Sequence, residues 1–201
     1  MTDDLGGVMT ERTHQAIPDR APARTTPERD AVLIGEGSVQ VDAFIDFLCP
    51  YCKRFELSAA DVLGKLVTEG QARLACHPMD FLDEASTTNY STRAAAASAC
   101  AADQGRFLEY AHALFVAQPP EGGPGLSDTD LIELGREAGL DSASFTACVS
   151  AGTYLDWPPY VTAKAIAAGV SATPTVLVAG APVSAIGKAI AAAVSQAADG
   201  N

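Results

Sequence analysis

Two cysteines three positions apart, Cys49 and Cys52, enclose Pro50 and Tyr51 in the stretch FIDFLCPYCKRFE, residues 44–56. Such a pair can hold a metal, close a structural bridge, or cycle between dithiol and disulfide. A structural zinc needs four ligands, usually as two closely spaced pairs. No second CxxC occurs, and Cys76-His77 is an adjacent dipeptide poorly spaced for chelation, so no metal is expected. A permanent bridge across two residues closes a tiny loop and gives little entropic stabilisation. Redox cycling accounts for the neighbouring residues. Cys49 falls where a strand gives way to a helix, and backbone N–H groups with the helix dipole favour a thiolate there. Cys52, one turn later on the apolar stripe, is expected to be shielded, so that Cys49 is an exposed nucleophile and Cys52 resolves the mixed disulfide. No cofactor is expected beyond the Cys49–Cys52 disulfide itself.

The elements that must position this pair can be read from periodicity. AVLIG (31–35) reads as a short strand, and VQVDAFIDF (39–47) alternates as a strand, with Val39, Val41, Ala43, Ile45 and Phe47 on one face. Cys52, Phe55, Ala59, Val62 and Leu66 then recur at helical spacing as far as Gly70. Pro50 suits the first helical position, where its missing N–H would have no partner. QARLACHPM (71–79) reads as the next strand, which completes a βαβ unit with the CxxC at the helix entrance. Helices are expected from Tyr90 to Ala102 and around Phe107, Ala111 and Leu114. Ser127 with Asp130 caps a third and Asp141 a fourth, and a fifth starts at about Pro158. TPTVLVAG (173–180) reads as a strand, and Ile186, Ile190 and Val194 as a terminal amphipathic helix. Residues 1–30 are polar, proline-bearing and without periodicity, so a disordered tail is expected.

On FIDFLCPYCKRFE and GVSATPTVLVAG (169–180) the chain resembles the thioredoxin superfamily and, within it, the DsbA-like thiol-disulfide oxidoreductases, over about residues 31–197. CPYC alone also suits glutaredoxins. The 121 residues between Cys52 and Pro174 exceed the compact core of that family, and a helical insertion accounts for them. The resemblance implies an α/β thioredoxin-like fold, a central mixed β-sheet flanked by helices. Residues 31–82 and 170–201 would form the core and 83–169 the insertion. It also implies that Pro174, preceded by Thr173, is a cis-proline facing the dithiol, in a loop that with Pro50 and Tyr51 presents the substrate groove. Cys100 and Cys148 are the pair for a second, structural disulfide, the alternative being two buried free thiols.

Thioredoxins and several relatives carry a buried acid six residues before the first cysteine, where this chain has Ala43. Asp46 and Glu56 are the carboxylates near enough to move the Cys52 proton, water being the third option. Asp46 reads more simply as a solvated strand-end residue. His77 is expected to be a satisfied or surface histidine, His112 has no evident partner, and Trp157 is expected in the core.

Formal net charge is −12 with 48% hydrophobic residues. This balance supports a core and argues against nucleic-acid or membrane-surface binding. No apolar run is long enough to span a bilayer. MTDDLGGVMTERTHQAIPDR begins acidic and lacks the basic and apolar regions of a secretory signal. As written the protein is expected in the cytoplasm, or exported if the true start lies upstream. The expected partners are protein or peptide thiols and disulfides plus a redox partner. Two other functions share the fold: isomerisation of small aromatic or polyketide substrates, and a redox-sensing binding module.

Overall fold

Strand β2 (Val39–Ile45) lies at the centre of a five-stranded sheet of order β1-β3-β2-β4-β5 in the computed structural model, which describes residues 17–200. β1 is Val32–Ile34, β3 Ala72–Pro78, β4 Thr175–Val178 and β5 Ala181–Val183. Only β2 and β3 run parallel, with Ala43 opposite Cys76 and Phe44 opposite His77; the other pairs are antiparallel. The parallel pair requires a crossover, and α1 (Pro50–Thr68) supplies it. This is the mixed sheet expected of a thioredoxin-like fold.

Strand β2 stops at Ile45 rather than Phe47, which frees Asp46 to Leu48 to form the loop leading to the dithiol. Its second face is half-buried at Gln40 and Asp42 and fully covered near the site, where Phe44 and, just past the strand, Asp46 are as buried as Val41 and Ala43. On α1 the buried stripe runs Cys52, Phe55, Ala59, Leu63 and Leu66. Leu63 replaces the expected Val62, which turns towards α7 (Gly187–Asp199). There a Cβ on Gly187 would come within 3.0 Å of the Val62 side chain, so glycine permits the approach of the two helices. Strand β5 has no counterpart in the periodicity. Its hairpin turns through Ala179 and Gly180, both at positive φ, and Pro182 is tolerated because β5 is an edge strand.

Between β3 and β4 come a 3-10 turn (Asp83–Ala85) and helices α2 (Tyr90–Asp103), α3 (Phe107–Val116), α4 (Asp128–Glu137), α5 (Ser142–Ser150) and α6 (Trp157–Ala167). Helix α2 is buried on nearly all sides, and its alanines let α3, α4, α5 and α6 pack around it. Cys100 of α2 and Cys148 of α5 are joined by a disulfide. Ser127 and Asp130 form a capping box on α4, and the Asp141 carboxylate accepts the first free N–H groups of α5. Pro158 and Pro159 both fit in the first turn of α6, where N–H groups lack intrahelical partners.

Of the tail expected at 1–30, residues 1–16, with His14, lie outside the described residues. Residues 17–30 run along the body rather than free of it. Trp157 Nε1 donates to the Arg29 carbonyl and the Tyr160 hydroxyl to the Glu28 carbonyl, both at 2.7 Å, and Thr25 bridges to Val32. The segment cannot order itself, but it supplies acceptors for the polar tips of two buried aromatic residues.

Candidate active site

Cys49 is the N-cap of α1 in extended conformation, so its sulfur stands at the helix mouth with Cys52 one turn inside. Both are free thiols. Facing them is the loop before β4, where the Thr173–Pro174 peptide bond is cis and the Thr173 carbonyl lies 3.3 Å from Cys49 Sγ, accepting its hydrogen when the thiol is protonated. Cys49 is only 4% exposed and Cys52 0%. The exposed nucleophile of the sequence reading is therefore corrected: Cys49 is largely buried, with the Thr173 carbonyl against its sulfur. Between them Pro50 is exposed and Tyr51 is 63% exposed, its ring stacked beneath the Arg54 guanidinium.

The two sulfurs have opposite proton affinities. The Cys49 thiol is brought down to about 5 from an ordinary 9.0: hydrogen bonding from the Cys52 thiol is the largest cause, burial opposes it, and the Thr173 side chain and the N–H groups of Cys52 and Tyr51 add to the lowering. The Cys52 thiol is pushed far up by burial, and then by its role as donor to Cys49 and by the negative charge there. One sulfur is an anion at neutral pH and the other keeps its proton.

Asp46 corrects the sequence reading most sharply. It is 0% exposed, not solvated. Its Oδ1 accepts from the Leu48 N–H at 2.8 Å and the Ser91 hydroxyl at 2.7 Å, and its Oδ2 from the Leu82 N–H at 2.8 Å. Its own N–H donates to Cys52 Sγ at 3.4 Å. Burial pushes its carboxyl up to about 7 against those hydrogen bonds, with the Cys49 charge adding a little. The buried acid that Ala43 cannot supply thus enters from the loop instead.

Glu56 is engaged by His112, whose Nδ1 lies 3.2 Å from its Oε1; His112 does have a partner. Burial raises the Glu56 carboxyl, and the buried Cys76 thiol, itself pushed up by burial, feels its charge. His77 is a satisfied core histidine, stacked on Phe44 and 3.2 Å from Asp42. Gln118 was not singled out from sequence: its Nε2 donates to the carbonyls of Phe47 at 2.8 Å and Cys49 at 3.0 Å. It and Ser91 tie the helical insertion to the active-site loop, and no local spacing signals a contact across 71 or 45 residues. Among the described residues no group of three or more His, Cys, Asp or Glu side chains gathers as metal ligands.

A family model described as thioredoxin matches residues 30–193. The chain is similar to the reduced form of the disulfide bond oxidoreductase DsbG of Mycobacterium tuberculosis: 36% identical, TM-score 0.68, covering 76% of this chain and 79% of that one. It is similar to reduced DsbA of the same organism at 35% identity and TM-score 0.68, over 76% and 84% of the two chains. It also matches the serine/threonine-protein kinase PknE of Mycobacterium tuberculosis, 32% identical over 135 residues, 63% of this chain. The chain spans about a quarter, 24%, of the length of the curated relatives it matches. Neither the isomerase nor the sensor reading finds support in these likenesses. The chain belongs to the thioredoxin family, among the DsbA-like thiol-disulfide oxidoreductases.

Proposed function

We propose that this protein exchanges disulfides with protein or peptide thiols through Cys49 and Cys52, and that it works as an oxidant. The observation that carries the reading is the Cys49 sulfur, ionised at the mouth of α1 beside a Cys52 that stays protonated. A stabilised thiolate stabilises the reduced form, and a stable reduced form makes the disulfide oxidising. In that direction a substrate thiolate attacks Cys49 Sγ of the Cys49–Cys52 disulfide, forming the mixed disulfide and releasing Cys52 as a thiolate. Asp46, in contact with Cys52 through its backbone, supplies the proton Cys52 takes up; in reverse it accepts that proton. The second substrate thiolate attacks the substrate sulfur of the mixed disulfide. It closes the substrate disulfide and expels Cys49, a good leaving group because its thiolate is stable. Two electrons pass to the enzyme. Glu56, turned to His112, is outside this proton path.

Pro50, Tyr51, Thr173 and Pro174 are the residues we assign to substrate contact. Apolar Tyr51, Phe81 and Val116 are exposed on segments that meet the site through Cys49, Leu82 and Gln118, which suits a peptide with apolar side chains. The Cys100–Cys148 bridge supports work in an oxidising compartment, where such bridges persist. Among the described residues no helix is long and apolar enough to cross a membrane.

The test is direct. Oxidised protein should convert a peptide dithiol to its disulfide with stoichiometric loss of its own; Cys49→Ser should abolish this, and Cys52→Ser, offered a peptide cysteine already disulfide-bonded to glutathione, should accumulate the Cys49–peptide mixed disulfide as glutathione leaves. Oxidation that survives Cys49→Ser contradicts the assignment.

A further inference from the structure

A cavity of about 440 Å³ opens between α1, α3 and the sheet face that carries Ala43 and Cys76. That size falls within the range of small-molecule sites. Its walls are apolar, with Phe55 and Gly64 on the α1 side, and the Cys76 thiol on its floor is buried and free. The charged groups that reach it are the carboxylates of Glu56, Asp61 and Glu109 and the imidazole of His112, without a lysine or arginine among the lining residues. Glu109 is engaged by Arg106 at 3.6 Å. Glu56 is mostly buried and gives one oxygen to His112, while its Oε2 accepts no hydrogen bond from the described residues.

Gly64 is the second observation. A glycine inside a helix costs about 1 kcal/mol relative to alanine, a cost that a neighbour too close for a side chain would explain. Gly64 has no such neighbour: a Cβ there would meet nothing within 4 Å. Its lack of a side chain leaves room in the cavity instead of serving helix packing.

We propose that this cavity is a binding site for a small organic cation, an ammonium carried on an apolar ring or chain, with the charge on Glu56 and the body against Phe55 and over Gly64. An anion would meet three carboxylates, and a neutral apolar molecule would leave the half-satisfied Glu56 carboxylate unpartnered in an apolar setting. Neither the dithiol nor its substrate groove contributes to this site, so the proposal stands apart from the exchange reaction.

Phenethylamine, 2-phenylethanol and phenylacetate share one ring and differ in charge, and titrating each into the full chain by calorimetry, with the His112 ring resonances followed by NMR, tests the proposal. The amine should bind and shift His112, the alcohol should bind about tenfold more weakly, and the carboxylate should not bind. Gly64→Leu should fill the cavity and weaken the amine about tenfold or more, with thermal stability and thiol-disulfide exchange rate retained. Gly64→Ala, which adds one methyl, should keep most of the affinity. Glu56→Gln should bring amine and alcohol to equal affinity. Failure of the amine to bind, equal affinity of amine and alcohol for the parent protein, or amine binding unmoved by Gly64→Leu would each overturn the proposal.

Discussion

Replacing Cys52 by alanine removes the largest of the influences that hold Cys49 near 5. The distance from 9.0 to about 5 is four pH units, or about 5 kcal/mol of preference for the thiolate. A hydrogen bond to a charged group contributes about 1.5–3 kcal/mol, so losing the Cys52 donor should return about one to two pH units. The backbone N–H groups of residues 51 and 52 and the Thr173 contact survive the substitution. In Cys52→Ala the Cys49 midpoint should therefore lie at about 6–7, read from ultraviolet thiolate absorbance or the pH dependence of alkylation. The same change must appear in stability. A depressed pKa gives stability that is complete above the ordinary value and lost as pH falls through about 5. At pH 7 the parent lies two pH units above that midpoint, about 2.7 kcal/mol, and the variant retains about 0–1.4 kcal/mol. The cavity left by the missing sulfur costs the same at every pH, so the difference between urea unfolding at pH 7 and pH 4 isolates the electrostatic part. A midpoint still near 5 in Cys52→Ala would refute the account of how the thiolate is held.

Other outcomes follow from the same geometry. Thr173→Val removes a lesser contribution and should raise the Cys49 midpoint by less than Cys52→Ala does, in the same titration. Asp46, pushed up to about 7 from 3.8, favours the folded state below about pH 4, and that advantage is lost as pH rises through about 7, about 4 kcal/mol across the interval. In the oxidised protein, where Cys49 is held in the disulfide and does not titrate, Asp46→Asn should flatten this part of the pH–stability curve measured in denaturant. An unchanged slope between pH 4 and 7 would show that Asp46 is not the group responsible. Joining Cys100 to Cys148 closes a loop with a sequence separation of 48, for which chain entropy predicts about 4 kcal/mol. Unfolding of the Cys100→Ala/Cys148→Ala double variant should show a loss of about 2–4 kcal/mol, and a loss below about 1 kcal/mol would contradict it.

What could be read from the chain beforehand was whatever is local. CPYC at a strand-to-helix junction, the βαβ periodicity, the capping box at Ser127 and the helix start near Pro158 each depend on a few neighbouring residues. The sequence reading missed what depends on distant ones. Asp46 looked solvated because alternation places it on the second face of β2; only Ser91 and Leu82, brought over by the insertion, bury it and give it donors. Cys49 looked exposed because nothing near position 49 shows that residue 173 will cover it. His112 found Glu56 across 56 residues. Residues 17–30 looked free because their own composition cannot order them, although Trp157 and Tyr160 can hold their carbonyls. Strand β5 is three residues with a proline, too short to alternate.

The pH dependence of the Cys49–Cys52 reduction potential, measured against a thiol buffer, bears most directly on the claim that an ionised Cys49 sulfur makes this an oxidising couple. With Cys49 ionised above about 5 and Cys52 protonated throughout, reduction takes up one proton per two electrons. The potential should fall by about 30 mV per pH unit from pH 5 to 8 and by about 60 mV per unit below pH 5. A line that keeps about 60 mV per pH unit through neutrality would mean that both sulfurs are protonated at work, and would contradict the account.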